Sequence, residues 1–432
     1  MKIKEIKFDS LGCLKNFELD IDSYNEDKLN LFVLVGSNGS GKSTFLDALY
    51  SITKDKNINQ IQTKFSIRTD NDDFVWANNR KDIDNASFHN PWEYVIRYYT
   101  GNSQRSLNTV DEYDSENYMS FSKENMKWLL AACFLSGIWK DENNLRVIEK
   151  LNSILFYGNN TFEPIEVFLK LKNYDKDILE KLPKYDNITN DGLIISWKIK
   201  AKKEIDVTSI LDTLIKKQDR IENLFFTYNR NEYEKPLPDE TLSDGELGLI
   251  RRASLITFLK EMKDKKCLVL LDEPETHFNE NWKRHFIYLI KSELSNTKHD
   301  IFIATHSAML LTDVKKQELY HFKLVNNKIK TYPIIFNTYA ANIIDIGRAY
   351  FDLDSDIGED AKENVKKLLL GVKELKDNYQ QDDFLSIEEQ LNNIKELLPD
   401  IGPGEWRWKL RAREKELMNE LRDNLCKNDK AN

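Results

Sequence analysis

The sequence predicts an α/β fold on a mixed β-sheet, with a helical insertion and a helical C-terminal region, and three observations carry this reading. Leu29-Asn30-Leu31-Phe32-Val33-Leu34-Val35 is an apolar run that stops at a glycine-rich loop, after which the periodicity turns helical. From Leu242 onward, helical segments alternate with short apolar runs, the pattern of strands and crossover helices in a parallel sheet. Over roughly the last eighty residues the spacing is helical throughout, broken by Pro399 and by Gly402-Pro403-Gly404.

Taken in order, Ile3, Ile6, Phe8 and Leu11, then Leu14, Phe17, Leu19 and Ile21, suggest two strands joined around Gly12. The run to Val35 is a buried strand, and Phe45, Leu46, Leu49 and Tyr50 mark one face of a helix from Ser43 to Ile52. From Lys54 to Glu240 the chain is rich in Asn, Asp and Lys and few elements stand out. It offers an apolar helix around Trp128, Leu129, Ala132, Cys133, Leu135 and Trp139, a strand from Leu193 to Lys203, and a helix through Ile210, Leu211, Leu214 and Ile215. No heptad run there is long enough for an extended coiled coil, so the insertion is expected to be compact. Beyond it come a helix through Leu249, Ile250, Ala253 and Phe258, a strand from Cys267 to Leu271, a helix with Trp282, Phe286, Leu289 and Ile290, and a strand from Ile301 to Ala304. Leu319 to Leu324 and Ile329 to Ile335 read as a hairpin about Asn326-Asn327.

Composition narrows the function classes. With 432 residues, 41% of them hydrophobic, the chain can bury a large core in two or three structural units. No run of eighteen apolar residues occurs, and Met1-Lys2-Ile3-Lys4-Glu5-Ile6-Lys7-Phe8 alternates as a strand does, unlike a signal peptide. A cytoplasmic protein without a membrane partner is expected. Cys13, Cys133, Cys267 and Cys426 are far apart, which argues against a disulfide framework or a zinc site and for small buried hydrophobes. The formal charge of -9 argues against blanket nucleic-acid affinity and leaves a local basic stripe open as a DNA contact.

Four motifs carry chemistry. Gly36-Ser37-Asn38-Gly39-Ser40-Gly41-Lys42-Ser43 satisfies GxxxxGK[ST] and sits between a strand and a helix, where backbone N–H groups and the helix N-terminus hold phosphate oxygens. Lys42 would reach the terminal phosphates and Ser43 a magnesium ion. Leu268-Val269-Leu270-Leu271-Asp272-Glu273-Pro274 delivers two carboxylates to a strand end, where neighbours point differently. Asp272 can then hold the magnesium shell while Glu273 faces the attacking water. In Ile303-Ala304-Thr305-His306-Ser307 a strand ends on a histidine that could hydrogen-bond the terminal phosphate, although a lone histidine is more often structural. Leu242-Ser243-Asp244-Gly245-Glu246 precedes a helix, and Ser-x-x-Glu is a capping box in its own right; a capped helix N-terminus is also a phosphate ligand.

The fourth motif resembles the LSGGQ signature of ABC ATPases, and the order phosphate loop, signature, acidic pair and histidine matches that family. The resemblance implies an ABC-type ATPase head: residues 1–55 as its N-terminal lobe, 56–235 as an insertion mixing helix and strand, 236–345 as its C-terminal lobe, and 346–432 as a helical partner-binding region. It implies ATP and Mg2+, with ATP held by Gly36, Ser37, Asn38, Gly39, Ser40, Gly41, Lys42, Ser43 and Thr44, magnesium by Ser43 and Asp272, and catalysis by Glu273, His306 and Lys42. Ser243 and Gly245 would act in trans on the nucleotide of a second subunit, so a homodimer or higher oligomer is expected. Asp244 stands where many transporter ATPases have glycine. Asp272-Glu273-Pro274-Glu275-Thr276-His277 with Thr305-His306-Ser307 looks like the RecF, OLD and SMC branch. Gln60, Gln62 and Gln104 remain open as the family's Q-loop glutamine.

The tail carries Trp406-Arg407-Trp408-Lys409-Leu410-Arg411-Ala412-Arg413, a mixture suited to protein or nucleic-acid contact, or else a terminal helix with its tryptophans packed inward. It resembles the tail of the ATPase subunit of Septu-type phage-defence systems, whose partner is an HNH nuclease. An ATP-gated regulator of a separately encoded nuclease is the function this implies; the alternative is a RecF-like DNA-binding protein of repair or recombination. Asp352, Asp354, Asp356 and Glu363 imitate a calcium loop with Ile357 where the turn needs glycine, so a solvated acidic loop is expected. Lys198, Lys200 and Lys202 form a basic stripe that reads as a solvated strand face.

Overall fold

The computed structural model describes residues 3–11, 13–21, 23–54, 65–69, 92–99, 117–156, 162–201, 205–230, 233–369 and 387–428. They divide into two compact units, Met1–Asp352 and Leu353–Asn432.

In chain order the first unit opens with β1 (Ile3–Leu11), β2 (Leu14–Asp20), β3 (Asn30–Val35), α1 (Lys42–Lys54), β4 (Phe65–Thr69), β5 (Tyr94–Tyr99) and β6 (Tyr118–Ser122). It continues with α2 (Met126–Leu135), α3 (Leu145–Phe156), β7 (Glu163–Leu171), α4 (Lys176–Lys181), β8 (Asn187–Ile188), β9 (Ile194–Lys198), α5 (Val207–Lys216), β10 (Ile221–Asn229) and β11 (Leu237–Pro238). The last part holds α6 (Asp244–Glu261), β12 (Cys267–Asp272), α7 (Glu280–Leu294), β13 (Asp300–Ala304), α8 (Ala308–Leu311), β14 (Leu319–Val325), β15 (Lys328–Tyr332) and α9 (Ile343–Tyr350).

Among the described residues these strands form three sheets. The central one has seven strands in the order β15-β14-β3-β13-β12-β5-β6, parallel except for the antiparallel β15 at its edge. The sheet is therefore mixed, as expected. Its inner strands are buried on both faces, which is why they read as continuous apolar runs. Alternate side chains enter two cores. Phe32, Leu34, Leu268, Leu270 and Phe302 pack with α1 and with the antiparallel sheet β2-β1-β4, through Phe8, Phe17 and Phe45. Val33, Val35, Val269, Leu271 and Ile303 pack with α2, α6 and α7 on the other side. The third sheet, β11-β10-β7-β9-β8, is antiparallel and adds Val167, Leu169, Trp197, Phe226 and Tyr228 to that second core.

Two of the sequence expectations change. β5 and β6 fall inside the segment expected as an insertion, yet they extend the central sheet, because Tyr94–Tyr98 pairs in parallel with Cys267–Leu271. The strand expected from Leu193 to Lys203 spans only Ile194–Lys198; Ile199 N still donates to Ile165 O of β7 at 2.8 Å, after which Lys200 meets Asp186 at 3.0 Å. Lys202 lies outside the described residues. The hairpin falls where it was expected, with Asn326 and Asn327 at φ of 51° and 58°, the left-handed pair that a two-residue turn requires. Cys133 and Cys267 are buried free thiols, while Cys13 is half-buried.

The second unit holds α10 (Glu359–Leu369), α11 (Ile387–Leu397) and α12 (Glu405–Asn428), which share a small core of Val365, Leu368, Leu391, Ile394, Leu398, Leu410 and Leu417. α12 begins directly after Gly404, as the Gly-Pro-Gly break foretold.

Candidate functional site

The C-terminal ends of β3, β13 and β12 lie side by side, because Leu34 pairs with Ala304 and Ala304 with Asp272. In open α/β sheets ligands collect at this edge. Each of the three strands ends there in one of the sequence motifs: β3 in the glycine loop, β12 in Asp272 and Glu273, and β13 in Thr305 and His306.

Glycine shapes the loop. Gly36, Gly39 and Gly41 have φ of 149°, 76° and 92°, where other residues would be strained. A Cβ on Gly36 would stand 2.2 Å from the Phe322 carbonyl oxygen, and one on Gly41 1.9 Å from Ile329 Cδ1. The hairpin of β14 and β15 therefore backs the loop closely. Ser40 is buried, whereas Asn38 and Gly39 are exposed. Lys42, buried at the start of α1, donates from Nζ to Gly36 O (2.8 Å), Ser37 O (3.3 Å) and Ser40 Oγ (3.2 Å). Burial lowers its pKa to about 8, against the pull of Glu273, Asp272 and Glu275. Thr44 is half-buried in the first turn of α1.

Ser43 Oγ donates to Asp272 Oδ1 at 2.9 Å. Burial raises the Asp272 carboxyl to about 6, offset in part by this hydrogen bond. Glu273 leaves the strand with φ of 45°, while its N–H donates to Ala304 O at 2.9 Å. Holding a non-glycine residue in this region costs about 1–3 kcal/mol, and such strain clusters at functional sites. The turn brings Glu273 Oε1 to 3.7 Å from His306 Nε2. Burial and the Lys42 charge push the His306 pKa down to about 4, so its ring is neutral at pH 7 and carries one N–H to offer.

Ser243 and Gly245 stand at the N-terminus of α6. Ser243 Oγ accepts from Glu246 N (3.3 Å) and donates to Glu246 Oε2 (2.7 Å), and Ser243 N donates to the same oxygen (2.8 Å). This is the capping box foreseen from the sequence. Arg230, just past β10, pairs with Glu246 at 3.2 Å. A Cβ on Gly245 would meet the Trp282 ring at 2.8 Å and His277 O at 3.0 Å, so glycine lets α6 approach this turn. Among the described residues no hydrogen bond joins Ser243 or Gly245 to the glycine loop of the same chain.

The donors fit a nucleotide with its metal. Ser43 Oγ and Asp272 Oδ1 are oxygens, the ligands a hard dication takes, and a glycine loop opening a helix is a cradle for phosphate oxygens. Around them are residues that sequence reasoning passed over. Glu275 and Thr305 are buried and hydrogen-bonded to each other. Arg252, buried mid-helix, donates to Pro274 O (3.0 Å), Gly248 O (3.2 Å) and Tyr98 Oη. Arg97 of β5 pairs with Asp47 of α1. Glu275 and Thr305 were legible as members of the quoted motifs, and Arg252 as a cation amid apolar helix positions. Gln60, Gln62 and Gln104 lie outside the described residues.

Elsewhere the expectations divide. Lys362 pairs with Asp354 (2.7 Å) and Glu359 (2.9 Å), and no cluster of metal-binding side chains occurs among the described residues. Trp406 packs against the core of the second unit and donates to Asp356 Oδ1 (3.2 Å), whereas Trp408 is 70% exposed. Among the described residues no helix is long and apolar enough to cross a membrane.

Comparison with known proteins adds a partial match. Residues 131–313 match the family described as "AAA domain, putative AbiEii toxin, Type IV TA system". That span holds Ser243, Asp272, Glu273 and His306 and begins after the glycine loop. No curated protein matches the chain. Solved structures similar to it include the SMC head domain from Thermotoga maritima, at 12% identity and TM-score 0.37, covering 78% of this chain and 100% of that one. The SmcHead bound to the C-winged helix domain of ScpA aligns at 12% identity and TM-score 0.38, covering 77% and 97%. The Smc head domain with an extended coiled coil, bound to the C-terminal domain of ScpA derived from Pyrococcus furiosus, aligns at 12% and 0.33, covering 77% and 96%.

Proposed function

We propose that this chain is an ATPase that binds Mg-ATP on the glycine loop and hydrolyses it when two copies close head to tail. The Ser43–Asp272 hydrogen bond carries the proposal, because it joins the phosphate-loop motif to the acidic strand with Glu273 and His306 alongside. The match of residues 131–313 to an AAA domain supports it.

In this reading Lys42 and the backbone amides from Gly36 to Thr44 hold the phosphates. Ser43 and Asp272 hold Mg2+, which supplies charge neutralisation at the phosphate oxygens during transfer. Glu273 orients the attacking water and accepts its proton, and neutral His306 donates to the terminal phosphate. The partner copy brings Ser243 and Gly245, whose capped helix N-terminus complements the phosphate charge.

The work done by closure is assigned to a partner. An ATP-held dimer or higher oligomer would restrain or position a separately encoded nuclease, of HNH type, in cytoplasmic anti-phage defence. The toxin named in the matching family's description is in keeping with a defence role.

Phosphate release from ATP with and without Mg2+ tests the enzyme. Lys42→Ala should lose ATP binding, whereas Glu273→Gln should bind ATP, fail to turn over and accumulate as dimers. Mixing Lys42→Ala with Ser243→Ala should recover about a quarter of wild-type turnover, since half the dimers are mixed and each has one intact composite site. Equal turnover by wild type and Glu273→Gln, or a mixture as inactive as its parts, would sink the corresponding claim. Co-purification with the product of the neighbouring reading frame tests the partner.

A further inference from the structure

The turn after β12 and the turn after β13 are joined by side chains that the proposed chemistry does not use. Glu275 is 5% exposed, and its Oε1 accepts a hydrogen bond from Thr305 Oγ1. Thr305 is fully buried, and the same Oγ1 accepts from Ser307 N at 2.9 Å. Thr305 N in turn donates to Leu34 O at 3.2 Å, two residues before Gly36. One threonine thus engages the strand before the glycine loop, the acidic turn and the residue after His306.

The acidic turn is held from its other side as well. Arg252 Nε donates to Pro274 O at 3.0 Å, and Thr276 N and Oγ1 both donate to Glu273 O, at 3.1 and 2.9 Å. Glu273 and His306 each neighbour a residue of this network in sequence, and their side chains meet at 3.7 Å. Burying a carboxyl is costly, and Glu275 Oε2 is buried without a hydrogen-bond partner among the described residues. Replacing both partners of a buried hydrogen bond by apolar groups of the same shape is often nearly neutral, so stability alone does not call for this pair.

We propose that Glu275 and Thr305 are positioning residues: their hydrogen bond sets the His306 ring against Glu273, and so acts on the turnover step and not on nucleotide capture. The inference rests on the ATPase reading above. Burial, which raises the Glu275 carboxyl to about 7, accords with a group held by geometry and not by solvent.

The test uses the full chain as wild type, Thr305→Val, Thr305→Ser and Glu275→Leu, with two readouts. The first is ATP binding and steady-state turnover with Mg2+. Thr305→Val should bind ATP within about threefold of wild type while kcat falls roughly 10- to 100-fold, the scale of a misplacement near 1 Å, and Thr305→Ser should restore kcat. The second is the NMR titration of His306, which needs no turnover: its pKa, about 4 in the wild type, should rise in Thr305→Val and stay low in Thr305→Ser. If Thr305→Val does not fold, Glu275→Leu breaks the same bond from the other side and carries the same expectations. Unchanged kcat and an unchanged His306 titration in the disrupted variant overturn the proposal, as does a loss that serine fails to rescue. If the wild type hydrolyses no ATP, the ATPase reading fails, and the His306 titration alone then decides whether the brace exists.

Discussion

Ser43 Oγ and Asp272 Oδ1 lie 2.9 Å apart although 229 positions separate them in the chain. The bond closes the site, since it ties the first turn of α1 to the end of β12 beside Glu273. Removing it with Ser43→Ala takes a donor from a half-buried carboxyl, at about 0.5–1.5 kcal/mol of stability. The sharper expectation concerns the metal. Isothermal titrations with and without Mg2+ should show a magnesium-dependent gain in ATP affinity for the wild type that shrinks about tenfold or more in Ser43→Ala. An equal gain in both proteins would remove Ser43 from the metal shell.

Gly41 should tolerate no side chain, for two separable reasons. Its φ of 92° is strained for any other residue, and an added Cβ would sit 1.9 Å from Ile329 Cδ1. Gly41→Ala is expected to cost about 1–3 kcal/mol and to lose ATP binding. Adding Ile329→Ala opens the steric contact but leaves the backbone strain. The double variant should therefore recover part of the thermal midpoint without recovering ATP binding. Full recovery of binding would mean that crowding alone demands glycine.

His321 gives the fold a pH dependence of predictable sign. The ring is 2% exposed beside Tyr350 and Tyr332, and burial pushes its pKa to about 4. Between about pH 6.5 and 4 the unfolded chain takes up a proton that the folded chain refuses. This contribution to stability is full above pH 6.5 and is lost as the pH falls towards 4. His321→Phe removes this titration, so on acidification the wild-type urea midpoint should fall more steeply than that of the variant. Parallel slopes would show that His321 titrates normally.

The two tail tryptophans should separate experimentally. Trp406→Ala removes packing and a hydrogen bond to Asp356, and is expected to destabilise the second unit by about 2–3 kcal/mol. Trp408, 70% exposed, should change stability by less than about 0.5 kcal/mol when replaced by alanine. If a partner docks on this helix, only Trp408→Ala loses it while the thermal midpoint holds. Pull-down against the co-expressed neighbour and differential scanning calorimetry check the two halves.

Much of the architecture was legible because its determinants are local. The strand ending at Val35, the helix after Lys42 and the capping box of Ser243 and Glu246 each depend on residues within one or two turns of one another. The middle of the chain was not legible in the same way. Tyr94–Tyr99 becomes a strand of the central sheet only through pairing with β12, and no local signal names that partner. Glu275 and Thr305 stood inside recognised motifs, yet their bond is a contact between two turns, invisible to spacing along either one.

The sequence by itself determined the chemistry available: a glycine loop between strand and helix, two adjacent carboxylates and a histidine at strand ends, and a capped helix start. These are set by short-range backbone geometry, which follows from residue type. Only the tertiary structure decided their company. A run buried on both faces says that a strand is internal but not which strands flank it, so the order β3-β13-β12 and the contact of Ser43 with Asp272 come from long-range pairing. The same holds for the hairpin pressed against Gly36 and Gly41, and for the inward turn of Trp406 beside the outward turn of Trp408. Packing against distant residues settles each of these, and residue type alone cannot.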